Sequence, residues 1–183
     1  MTIRKDRPSV LDSLGIRKTA TTRPLRKQPD TTALVEKRMR LLTDLSSSQG
    51  SRELLSAARS GDVGRARYLL TSVPTTDIHY RSTASEDSLG KGAQALHFAA
   101  LGGHADVTSA LLDCGAAPLA ATDAGCTALH VAAKRGHAHV AKILLSAGGA
   151  LLRVAKDNLG KTALWYATRG QSRGHLEIAK MLK

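Results

Sequence analysis

The strongest constraint on this chain is that it repeats itself. His97 to His130 is a step of 33 positions, and so are Gly103 to Gly136 and Leu111 to Leu144. A period of that length marks an architecture whose units bury their apolar faces only against their neighbours. The best-formed unit spans 127–148, TALHVAAKRGHAHVAKILLSAG. Leu129, Val131, Ala132 and Ala133 are apolar at helical spacing, Gly136 interrupts, and Val140, Ile143, Leu144 and Leu145 resume the pattern. That is a helix, a glycine turn and a second helix. Such a hairpin has two apolar faces and cannot bury both alone.

The rest of the chain supplies the neighbours. QALHFAALGGH at 94–104 is a near copy of TALHVAAKRGH at 127–137. TALWYAT at 162–168, followed by GHLEIAKML at 174–182, is a third copy, offset by 35 positions at Leu164. A degenerate fourth lies upstream, LLSAARSGDV at 54–63, ending at Leu69 and Leu70. The pattern resembles the ankyrin repeat, G-x-T-P-L-H-x-A-A-x-x-G-H followed by V/I, L-L and a closing G-A. Gly125, Thr127, Leu129, His130, Ala132, Ala133, Gly136, His137, Leu144, Leu145 and Gly148 match it, with Ala128 in the proline place. The resemblance covers about residues 50–183 and implies an all-α solenoid of stacked helix–turn–helix units with β-turn fingers. Its repeats fall at about 50–82, 90–122, 123–156 and 157–183.

The residue choices have physical reasons. Thr127 is placed to cap the first helix through its hydroxyl and to steady the His130 ring. Ala132 and Ala133 are small where helices approach closely, and Gly136 suits a positive φ at the turn. The departures also inform. Gln94 replaces the threonine in repeat two, and Trp165 replaces the histidine in repeat four. The connection from Leu70 to Gly90 is about nine residues longer than its counterpart and is polar, which predicts a loop. Repeat four gains Gly170, Gln171 and Ser172 before its second helix. Ile178, Ala179, Met181 and Leu182 have only the preceding repeat to pack on, so a covering partner or a longer array is expected there.

Ahead of the repeats, residues 1–29 mix Pro8, Pro24 and Pro29 with basic residues and read as an extended or disordered arm. From Asp30 onward Leu34, Val35, Arg38, Leu41, Leu42 and Leu45 recur at helical spacing. This predicts an amphipathic helix over 30–48 that caps the first repeat or, as the alternative, binds a partner. It should end in a flexible joint, Ser46 to Gly50. Residues 1–48 hold 11 Lys and Arg against 5 Asp and Glu, the densest positive charge in a chain of net +12. No apolar run is long enough for a membrane span and no signal peptide is evident, so an intracellular setting is expected, cytoplasmic or nuclear, with a mitochondrial transit peptide the weaker alternative.

Chemistry is not in evidence. Five of the seven histidines occupy repeat positions, and His137 and His139 do not share a helix face, so no metal site is expected. Cys114 and Cys126 have neither metal nor disulfide spacing and read as reduced thiols. Gly90-Lys91-Gly92 lacks the remaining residues of a phosphate loop or dinucleotide fingerprint. No cofactor and no enzymatic activity are expected.

What the resemblance implies instead is a protein-interaction scaffold or adaptor that presents its fingers and first helices as a concave surface. By aligned position the binding residues are Lys91, Phe98 and Leu101 in repeat two. Repeat three gives Ala124, Cys126, Val131, Lys134 and Arg135. Repeat four gives Asn158, Leu159, Lys161, Tyr166 and Arg169. Their charges are all positive, which points to an acidic or polar partner protein, with Phe98, Leu101, Val131 and Tyr166 as apolar anchors. The alternative is a nucleic-acid-associated protein contacting phosphate through the arm over 1–29, without base stacking because the arm has no aromatic residue. A third possibility is that the repeats are the adaptor portion of a larger enzyme or receptor.

Overall fold

The computed structural model describes residues 48–73, 76–83 and 89–183. The arm over 1–29, and the helix expected over 30–48 up to its last residue, lie outside the described residues. Eight helices follow in the described part. They are α1 (48–60), α2 (Val63–Ser72), α3 (Ala95–Gly102), α4 (Ala105–Asp113), α5 (Ala128–Arg135), α6 (Ala138–Val154), α7 (Ala163–Arg169) and α8 (Arg173–Leu182). They form antiparallel pairs that stack in register. The first helices α3, α5 and α7 pack on one another, and α2, α4, α6 and α8 form a second layer behind them.

Small residues let the layers close. Ala57, Ala58, Ala99, Ala100, Ala132, Ala133 and Ala167 are all buried on the first helices, and Leu54, Leu96, Leu111, Leu129, Leu144 and Ile178 fill the space between layers. Phe98 is the one large aromatic among the fully buried side chains. Ile178, Ala179 and Leu182 are buried on α8, which packs against α6 and α7, so the preceding repeat does cover them.

The turn glycines show why the period is strict. Gly103 and Gly136 end α3 and α5 with φ of 76° and 77°, a left-handed conformation that costs other residues about 1–2 kcal/mol. Each also lies beneath a histidine of the next repeat. A Cβ on Gly103 would sit 2.7 Å from His137 Nδ1, and one on Gly136 2.6 Å from His175 Nδ1.

Two expectations need correction. The joint expected over Ser46 to Gly50 is helical from residue 48 on. Gly50 and Ser51 are buried there, and the Ser51 hydroxyl accepts a hydrogen bond from the Asp77 amide at 2.9 Å, which anchors the helix start under the following loop. The second helix of repeat three does not close at Gly148 either. It breaks at Gly149 (φ 60°, ψ −150°) and turns again to Val154. Leu144 to Thr162 is two positions longer than Leu111 to Thr127, and this extra turn absorbs the excess by burying Leu152 beside Gly148.

Candidate interaction groove

The second and third fingers are short hairpins, each held by a single bridge, Ala121 with Thr127 and Lys156 with Thr162. In the first finger the Gly92 amide donates to Ser82 O, and the Ser82 amide to Ala93 O, both at 2.8 Å. Neighbouring fingers are joined through backbone. The Asp123 amide donates to Lys91 O at 3.0 Å, and the Asn158 amide to Ala124 O at 3.1 Å. An Arg81–Asp123 ion pair at 2.6 Å and an Asn158 Nδ2 bond to Asp123 O at 2.9 Å reinforce the row.

Histidines tie these fingers to the first helices. Thr127 and His130 form a reciprocal capping box at the start of α5, and Gln94 and His97 form the same box at α3 despite the missing threonine. The Thr127 and Gln94 amides donate to Nδ1 of His130 and His97 at 3.2 Å. Nδ1 is therefore the acceptor, and the proton sits on Nε2. That Nε2 donates to the next finger, His97 to Cys126 O and His130 to Lys161 O, both at 3.1 Å. Burial pushes the His97 pKa down to about 4 and lowers that of His130, so both rings are neutral at pH 7. A second set reaches backward: Nε2 of His104, His137 and His175 lies 3.0 to 3.2 Å from the carbonyls of Arg59, Leu101 and Lys134.

Asp157 organises the last finger. Its Oδ1 accepts from the Leu159 and Lys161 amides at 2.9 and 2.8 Å, and its Oδ2 from the Tyr166 hydroxyl at 2.6 Å. Burial is the largest influence on this carboxyl and raises its pKa, but the Tyr166, Lys161 and Leu159 donors together outweigh it and hold it below the usual aspartate value. The hydrogen bond to Asp157 pushes the Tyr166 pKa up to about 12.

On this frame a pocket of about 200 Å³ opens on the side of the first helices, lined by Leu89, Leu101, Ala124, Cys126, His130, Val131, Lys134, Arg135 and Tyr166. It brings together seven of the residues singled out by aligned position and adds Leu89 and His130. Burial raises the pKa of the Cys126 thiol, which keeps it protonated.

The other six lie elsewhere. Phe98, expected as an exposed anchor, is 1% exposed and belongs to the hydrophobic core, with the Arg59 guanidinium of the preceding repeat 4.8 Å from its ring centroid. Of the seven within the pocket, Val131 is 5% exposed and forms its floor without projecting from it. Asn158 is committed to finger stacking, and Leu159 stands at a finger tip, 76% exposed and outside the pocket. Lys161 and Arg169 flank the Trp165 ring, at 4.7 and 4.6 Å from its centroid. Lys91 is exposed on the first finger, also outside the pocket lining.

Sequence reasoning missed Leu89, Asp157 and the Arg81–Asp123 pair. Asp157-Asn158-Leu159-Gly160 is a turn signature that marks Asp157 as a finger-closing acceptor. Nothing in the local sequence marks Leu89. Among the described residues no group of three or more His, Cys, Asp or Glu is placed to hold a metal ion, and no helix is long and apolar enough to cross a membrane.

In comparison with known proteins, a family model described as ankyrin repeats (3 copies) matches residues 54–151 and 96–183. No curated protein matches the chain.

Proposed function

The chain belongs to the ankyrin repeat family, and from that premise we propose that it is a non-catalytic scaffold that holds an acidic or polar segment of another protein in the groove of its fingers and first helices. Ankyrin repeats generally mediate protein–protein interaction, on a fold that is typically non-catalytic. The observation that carries the acidic-partner reading is how charge is committed along the groove. Among the described residues its two finger carboxylates are occupied, Asp123 by Arg81 and Asp157 by Tyr166 and two finger amides. Lys91 and Lys134 are exposed there, and among the described residues no carboxylate pairs with either. The field left over by the described residues is positive and favours a partner carrying carboxylates.

The test is recovery of partner protein from cell extract by wild type and by Lys134→Glu/Arg135→Glu. Both side chains are exposed at the end of α5, so the pair is expected to leave the fold intact, checked by circular dichroism. Charge reversal is expected to abolish recovery. Unchanged recovery would remove the groove from consideration.

A further inference from the structure

Below its cationic rim, the pocket between α3 and α5 has walls that offer a polar guest few partners. Both ring nitrogens of His130 are bonded, Nδ1 to Thr127 and Nε2 to Lys161 O. The Tyr166 hydroxyl is spent on Asp157. What remains facing the space is largely the hydrocarbon of Leu89, Leu101, Ala124 and Val131 with the Tyr166 ring. A polar side chain entering here would lose its hydration without a partner, whereas an apolar one gains by burial. A space of about 200 Å³ suits one such side chain, given that a cavity of roughly 150 Å³ holds benzene. Among the described residues the charges on its rim, Lys134 and Arg135, are both positive.

Building on the groove reading above, we propose that this pocket receives a single large apolar side chain, leucine-sized or aromatic, from a peptide segment whose flanking residues are Asp or Glu. The apolar residue fixes the register of the segment, and Lys134 pairs with a flanking carboxylate. The specificity is for a spaced pattern, not for negative charge as such, because a uniformly acidic segment leaves the pocket unfilled and a purely apolar one leaves the rim unmatched.

The experiment uses the full chain and a short fluorescein-labelled peptide with one central leucine between Asp and Glu residues. Two controls carry alanine for the leucine, or Asn and Gln for the acids. Anisotropy titration is expected to show binding of the first peptide, weakened about tenfold or more by either control. Ala124→Trp fills the pocket from an exposed position and is expected to abolish the leucine's advantage while leaving the circular dichroism spectrum unchanged. Alkylation read by mass spectrometry locates the contact. Bound peptide should shield Cys126, which lines the pocket, and leave the exposed Cys114 reacting as before. Equal binding of the leucine and alanine peptides, no binding of any peptide, or alkylation of Cys126 unchanged by bound peptide overturns the proposal. If the pocket fails while Lys134→Glu/Arg135→Glu still loses its partner, the groove reading stands alone. If recovery is also unchanged, both fall.

Discussion

Gly136 meets two demands at once. Its φ of 77° strains any side chain on backbone grounds, and His175 and Ser172 of the next repeat occupy the space a Cβ would need. Gly160 meets only the first, with φ of 71° and nothing within 4 Å of its Cβ position. Alanine should therefore cost about 1–2 kcal/mol at Gly160, and about 2–4 kcal/mol at Gly136, where steric repulsion from the stacked histidine adds to the backbone strain. Urea titration of both variants checks the difference, and equal losses would mean that the histidine swings aside freely. The turn itself was legible in the sequence, because a glycine before a histidine at a fixed period has few other readings. The burial of Phe98 was not. It comes from packing into the core beside the degenerate first repeat, whose Arg59 side chain over the ring no local pattern specifies.

A finger is an element with little to hold it, one hairpin bridge and borrowed bonds. The borrowed bonds come from the Nε2–H groups of His97 and His130, and the amide bond that orients each ring, from Gln94 or Thr127 to Nδ1, requires that ring to be neutral. This makes finger stability depend on pH, with a definite sign. His97 titrates near 6.5 in the unfolded chain but is pushed down to about 4 in the fold by burial, with Arg81 adding to the shift. The stability is fully present above pH 6.5 and is lost as pH falls toward 4, because the unfolded chain takes up the proton first. By pH 5 the loss from His97 alone is about 2 kcal/mol, and His130, also lowered by burial, adds to it. The lowered carboxyl of Asp157 contributes only further toward acid. Urea midpoints at pH 7, 6 and 5 check this, and a flat profile over that window contradicts it. The capping role of His130 was readable from its spacing to Thr127, whereas the pocket beside it was not. That pocket needs Leu89, which follows a long polar insertion out of register with the repeat.

Across the whole molecule, stability is a sum over units and the interfaces between them, and the units are unequal. The α5–α6 pair has a repeat on either side, a full capping box, and both kinds of histidine bond. The α7–α8 pair lacks the box histidine, caps α7 through a long Thr162 contact of 3.4 Å, and leaves Leu176 60% exposed. Where each first helix of repeats two and three sends a histidine forward to another finger, α7 carries Trp165 between Lys161 and Arg169. The chain's sole tryptophan thus reports on this repeat. If interface terms are modest beside the differences between units, this repeat opens before the rest. Trp165 fluorescence should then change at lower urea than the helical circular dichroism signal. Adding Gly136→Ala, which weakens the seat of His175 on repeat three, should widen the gap between the two curves. Coincident curves in both proteins would show instead that coupling between repeats outweighs their inequality, and that the stack unfolds as one unit despite its uneven parts.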